Sequence, residues 1–159
     1  MDAIVAVYSD WGIGSNGTQP VVLKADRQHF VELTRGRTVI VGRRTLADFP
    51  GGRPLKGRRN IVITHQELSI DGAEIAHSAE EAAAMCGSDA MVLGGQSVFR
   101  EFMPYTDRVF VTKINCRPQS DSFFPDLDAD AGWRKSSESE ALREGDIEYR
   151  FICYERIKP

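Results

Sequence analysis

Five short apolar runs rich in β-branched residues recur along the chain, at Ala3–Tyr8, Thr38–Val41, Asn60–Thr64, Ala90–Leu93 and Arg108–Ile114. Their interiors do not alternate apolar with polar residues, the pattern of strands covered on both faces. Helical stretches fall between them: Leu23–Thr34, Arg44–Phe49, Ser78–Cys86 and Gln96–Met103. Ser78 followed by Glu81 has the spacing of a capping box that opens the third of these. Strand and helix in alternation specify layers, with a largely parallel sheet between helices. The end of the chain differs. There Trp133–Glu140 and Ile147–Ile157 flank Arg143-Glu144-Gly145-Asp146, and two extended segments around a glycine-containing turn predict an antiparallel hairpin. The expected fold class is α/β: a single domain over residues 1–159 with a central, mostly parallel twisted sheet, helices on both faces and a C-terminal antiparallel hairpin.

Composition narrows the function classes. A chain of 159 residues with 42% hydrophobic content buries about two-thirds of its unfolded surface, enough for a core without metal or disulfide staples. Twenty Lys+Arg against 23 Asp+Glu give a net charge of −3, so no basic field recommends nucleic acid or an anionic membrane. Cys86, Cys116 and Cys153 form no CxxC, and His29, His65 and His77 show no ligand spacing, which speaks against a disulfide framework or a metal site. The run Ala3–Tyr8 is too short to span a bilayer and no basic segment precedes it. A cytoplasmic monomer is expected.

Gly12-Ile13-Gly14-Ser15-Asn16-Gly17 matches G-x-G-x-x-G after the first strand. A dinucleotide fingerprint needs those glycines to open a helix, whereas Thr18-Gln19-Pro20-Val21-Val22 follows here. Gly42-Arg43 also stands where the fingerprint's acidic residue belongs. The motif is better taken as a glycine-rich surface loop, of the kind that closes over a site.

A stronger anion site comes from two other junctions. Thr38–Val41 runs into Gly42-Arg43-Arg44-Thr45, and Ala90–Leu93 into Gly94-Gly95-Gln96-Ser97, each before a helix. Helix starts offer free N–H groups and a positive dipole end, and glycine lets an anion approach the backbone. In a parallel sheet both junctions lie on one edge, and a diphosphate suits two amide clusters. Arg43, Arg44, Thr64 and His65 could surround a further phosphate on the ribose, which selects NADP over NAD.

Leu23, Asp26, Phe30 and Leu33 share one face of the first helix. A carboxylate among apolar residues needs partners, and desolvation raises its pKa, which suits a proton donor or an anchor for a cationic heterocycle. An aspartate in a first helical turn also favours the helix dipole, and spacing alone does not separate the two readings. No Ser, Cys or His constellation accompanies it, so a cofactor is expected to supply the chemistry.

Together these residues resemble the dihydrofolate reductase family over almost the whole chain. The matching pieces follow the family's order: Ala3–Val7 with Trp11-Gly12-Ile13-Gly14, Leu23–Asp26 with Phe30, Val39–Thr45, Arg53–Asn60, Leu93-Gly94-Gly95, Val111–Ile114, and Asp121–Pro125. The resemblance implies NADPH-dependent reduction of 7,8-dihydrofolate, with hydride delivered to C6 and a proton to N5. It implies that Asp26 holds the pterin's N3 and 2-amino group, with Thr112 bonded to the same carboxylate. Phe30, Phe49 and Leu55 line the ring slot, Ile4 and Val5 close its floor, and Arg58 pairs with the glutamate tail. Ala6, Ile13, Gly14 and Phe99 lie at the nicotinamide. Leu93 borders both ligands, while Gly42 to Thr45 and Gly94, Gly95, Gln96, Ser97 and Val98 hold the diphosphate. The family's Gly-Gly bond is cis, and antifolates are implied as further ligands. Three positions depart from the pattern: Val21 follows Pro20 in place of tryptophan, Phe99 replaces tyrosine, and Phe49–Gly52 is longer than in some members. A related NADPH reductase of another pterin or pyrimidine, and a silent nucleotide-binding module, are the rival readings; Arg58 and Asp26 argue against them.

Overall fold

All five apolar runs become strands of one sheet in the computed structural model, which describes residues 1–15 and 19–158. In chain order the elements are β1 (Asp2–Val7), β2 (Gly12–Gly14), α1 (Lys24–Thr34), β3 (Thr38–Gly42), α2 (Arg43–Ala47), β4 (Arg59–Ile63), β5 (Ala73–Ala76), α3 (Ala79–Met85), β6 (Met91–Gly94), α4 (Gln96–Phe102), β7 (Arg108–Ile114), β8 (Ser122–Phe123), β9 (Trp133–Glu138), β10 (Leu142–Glu144) and β11 (Ile147–Arg156). The main sheet runs β10-β11-β7-β1-β6-β3-β4-β5, with β9 also on β11. Pairings from β5 to β7 are parallel, and those of β11 are antiparallel.

Side-chain alternation divides the apolar residues between two faces. Ala3, Val5 and Val7 of β1, Ile40 of β3, Val92 of β6 and Val111 of β7 pack on one face, beneath Ala82 of α3 and Phe102 of α4. Ile4, Val39, Val41, Met91 and Leu93 point the other way, toward Leu46 of α2 and Phe30 and Leu33 of α1. Because both faces are covered, the strands carry unbroken apolar runs. From β1 the chain moves outward through β3, β4 and β5, then returns to β6 beside β1. Right-handed crossovers require the helices to change faces when the direction of travel reverses. At such a reversal the carboxyl ends of neighbouring strands open a crevice. In this chain it lies above β1, β3 and β6.

The capping box at α3 is present in modified form. Ser78 Oγ accepts from Glu81 N at 3.0 Å, while the Glu81 carboxylate accepts from His77 N rather than from Ser78. The terminal hairpin needs correcting in one respect. Its tight turn is Gly145-Asp146 alone, with Glu144 opposite Ile147, so Arg143 and Glu144 are strand. The arm that turns back on β11 is β10, and Trp133–Glu138 pairs further along β11, from Ile152 to Arg156, across a bulge at Cys153/Tyr154. After Trp133, β9 is exposed throughout, so it carries no apolar pattern. Of the glycine-rich loop, Gly12–Gly14 forms a short antiparallel ribbon with β8. Asn16, Gly17 and Thr18 lie outside the described residues. Among the described residues no helix begins before Lys24, which speaks against the dinucleotide-fingerprint reading of this loop.

Candidate active site

Helix α1 starts without help from its own sequence. Leu23, at the N-cap, is extended and has no side-chain cap to offer. Glu144 of β10 supplies one, its two carboxylate oxygens accepting from Lys24 N at 2.8 Å and Ala25 N at 3.0 Å. The next residue is Asp26, half-buried. Thr112 of β7, itself buried, donates from Oγ1 to Asp26 Oδ1 at 2.6 Å. Burial pushes the Asp26 carboxyl above the usual carboxylate range, and the Thr112 hydrogen bond and nearby His29 offset part of that rise.

The apolar stripe beside Asp26 joins a wall assembled from four other segments. Phe30, Leu33, Phe49 and Leu55 pack, half-buried, against buried Ile4 and Leu93. Ala6 is paired with Thr112 across β1 and β7, which places it next to the carboxylate's partner. Val5 is not part of this wall. The strand's period of two turns its side chain to the opposite face with Trp11 and Phe99, so of the expected floor pair only Ile4 presents its side chain.

Arg58 stands at the far end of α1. Its Nε donates to Thr34 Oγ1 at 3.2 Å, Nη1 to Lys56 O at 2.6 Å and Nη2 to Val31 O at 3.1 Å. The loop that carries Leu55 and Arg58 is shaped by Asn60, whose buried amide accepts from Leu55 N and donates to Leu55 O and Arg58 O. A polar residue opening an apolar run is the sequence signal for it.

The two glycine turns meet. Val41 pairs with Gly94, setting the ends of β3 and β6 side by side. A Cβ on Gly42 would lie 3.0 Å from Val98 Cγ2, and one on Gly95 would lie 3.2 Å from Thr45 Oγ1. A side chain at either position would crowd these neighbours, so glycine keeps the backbone of the two turns open as a cradle. The Gly94–Gly95 peptide bond is cis, and Gly94 has φ +121° with the Phe99 ring directly beneath it. Arg43 and Arg44 are exposed at the rim, with Arg43 Nη1 donating to Gln66 Oε1 at 2.6 Å. Buried Thr64 accepts from Gln66 N at 3.1 Å, and His65 is exposed between them. Gln66 was missed, since nothing in its sequence neighbourhood marks it. Gln96 turns its side chain away from the cradle, Oε1 accepting from Phe123 N at 2.6 Å and tying α4 to β8. Ser97 is exposed, whereas Val98 and Phe99 point into the core. Ile13 packs half-buried against that core, and Gly14 is buried in the β2–β8 ribbon.

The arrangement sets a desolvated carboxyl in an apolar slot across β1 and β6 from an anion cradle. A dihydrofolate reductase family profile matches residues 1–156. The dihydrofolate reductase of Staphylococcus haemolyticus is 32% identical over 160 residues, covering 98% of this chain and 95% of the relative. That of Mycobacterium tuberculosis (strain ATCC 25618 / H37Rv) is 36% identical over 149 residues, covering 91% and 90%. Among solved structures, the dihydrofolate reductase from Enterococcus faecalis complexed with NADP(H) and RAB-propyl superposes with a TM-score of 0.88 at 30% identity, covering 99% of this chain and 96% of that one. The chain belongs to the dihydrofolate reductase family and is an NADPH-dependent oxidoreductase that reduces dihydrofolate.

Proposed function

We propose that Asp26 and Thr112 hold the pterin of 7,8-dihydrofolate while the paired glycine turns hold NADPH. What carries the reading is the Thr112–Asp26 pair at 2.6 Å, set at the inner end of an apolar wall. A carboxylate there accepts two parallel N–H groups from one edge of a heterocycle, which fixes the ring's orientation. Phe30, Phe49, Leu55, Ile4 and Leu93 supply flat apolar contact and exclude water. Val5 contributes through its backbone alone. Arg58 has five N–H donors and uses three, so one on each terminal nitrogen remains for the carboxylate of a glutamate tail. Antifolates with a cationic heterocycle fit the same carboxyl.

On the cofactor side, Gly42, Thr45, Gly94, Gly95, Gln96, Ser97 and Val98 hold the diphosphate through backbone N–H groups and the Thr45 hydroxyl. Arg43, Arg44, Thr64 and His65 receive the ribose phosphate, which favours NADPH over NADH. Ala6, Ile13, Gly14 and Phe99 border the nicotinamide ring. Bound there, the nicotinamide supplies the hydride. The chain's own part is to place two flat rings in contact, worth roughly 7–11 kcal/mol of barrier, and to keep a protonatable carboxyl beside the pterin. One chain provides every one of these groups, so we take the working unit to be the monomer. Its three free thiols suit the cytoplasm.

Following reduced-nicotinamide absorbance tests this. It should fall with dihydrofolate present and hold steady without it, and NADH should serve poorly. Asp26→Asn should lower kcat roughly a hundredfold at neutral pH while the Kd for NADPH stays within experimental error. A fully active Asn variant overturns the role given to Asp26.

A further inference from the structure

Tyr8 follows the last residue of β1 and is buried, 1% exposed, among Leu23, Ile114 and Tyr149. Its hydroxyl donates to Val21 O and accepts from Val21 N, both at 3.0 Å. A single side-chain oxygen thus satisfies both polar groups of one residue's backbone, in a segment that belongs to no helix or strand. That segment leads directly into α1. Val21 and Ala25 pack against the same cluster as Tyr8, and Glu144 holds the N–H groups of Lys24 and Ala25. The backbone from Val21 to Ala25 is therefore pinned at both ends by side chains from elsewhere in the chain, Tyr8 just beyond β1 and Glu144 of β10, and Asp26 comes next.

We infer that Tyr8 is a positioning residue of the reductase: its hydroxyl fixes the approach to α1 and so keeps the Asp26 carboxyl against Thr112. Apolar packing alone does not do this. The ring of a phenylalanine fills the same volume, but it leaves Val21 N–H and C=O to seek water, and the segment slackens beside the slot. The clamp needs the phenol protonated. Burial raises the Tyr8 pKa; the Val21 N–H bonded to its oxygen offsets part of that rise and the nearby Asp26 carboxylate adds to it, so the net shift is upward and the phenol keeps its proton at neutral pH. The groups that act directly on Asp26 are His29 on its own helix and Thr112 on β7.

The assignment builds on Asp26 as the pterin carboxylate, and a double-mutant cycle separates the two ideas. In Tyr8→Phe, single-turnover reduction of dihydrofolate should slow about tenfold through misplacement of the carboxyl, with the Kd for NADPH unchanged. In an Asp26→Asn background the same substitution should cost less than about twofold, because coupled residues are non-additive. An unaltered rate in Tyr8→Phe, or an equal loss in both backgrounds, overturns the clamp while leaving Asp26 in place. Full activity in Asp26→Asn alone removes both. Amide exchange in the unsubstituted enzyme gives a check that needs no variant to fold: Val21 N–H should be protected, and exchange at the free-chain rate sinks the clamp.

Discussion

Asp26 carries a conflict between stability and function. Burial raises its pKa against the pull of Thr112 and His29, so the folded state binds the proton more tightly than the unfolded chain. The linkage sign follows: stability is greatest below the carboxyl's unfolded pKa, falls as pH rises through the raised folded value, and stays reduced above it. An amide at this position keeps the Thr112 hydroxyl satisfied and carries no charge to desolvate. Asp26→Asn should therefore melt at a higher temperature than the unsubstituted enzyme at pH 7, with the difference gone at about pH 3.5, below the ordinary carboxylate pKa. Thermal melts at the two values check this. A variant less stable at pH 7 shows that the ionised carboxylate is better solvated than its surroundings indicate.

At the scale of elements, α1 is governed from outside itself. Its N-cap is a leucine, and the carboxylate that stands in comes from β10. The two backbone N–H groups hold the Glu144 pKa below its ordinary range, so what the cap contributes is present at neutral pH and lost as pH falls through the lowered value. Glu144→Gln should speed amide exchange at Lys24 and Ala25 and weaken dihydrofolate binding, leaving NADPH binding as it was. Unchanged exchange at both amides contradicts the cap. The same element marks how far the sequence can be followed. Periodicity placed Asp26 on the apolar face of α1 because helical spacing is local, and burial on both faces made β1, β3, β4, β6 and β7 visible as apolar runs. Thr112 lies 86 positions from Asp26 and Glu144 lies 120 from Lys24, and no local pattern encodes such partners. The resemblance supplied Thr112. Glu144 had no such guide, and neither did the two edge strands: β5 is short with little apolar content, and β10 falls where the turn was expected, whereas β9 was legible as an extended segment.

Across the whole molecule, the two edges of the parallel sheet divide the work. The carboxyl edge carries the glycine cradle and the slot. The amino edge has a hollow of about 570 Å³ lined by Met1, Asp2, Arg37, Asp107, Arg108 and Arg156 among others. Size alone would make it a site, but its charges are spent on one another. Asp2, 4% exposed, accepts from Arg37 Nη2 at 2.9 Å and from Arg108 Nε at 3.2 Å and Nη2 at 2.9 Å, and Met1's amino group meets Asp107 at 3.1 Å. Since Asp2 lies opposite both Met91 and Arg108 in the register, this knot joins β1, β6 and β7 at the end remote from the chemistry. Burial alone raises the Asp2 pKa, yet the two guanidinium groups outweigh it and the net shift is downward. The sign is opposite to that of Asp26: the stabilisation is full above the unfolded pKa and is lost as pH falls through the depressed folded value. Asp2→Asn should cost about 1–3 kcal/mol at pH 7, the scale of charge-assisted hydrogen bonds partly open to solvent. That deficit should shrink on acidification below about pH 4, while kcat and the Kd for NADPH per folded molecule hold constant. Denaturant titrations at both pH values, with turnover measured on the same samples, would expose any coupling between the edges as a change in kcat that tracks the loss of stability.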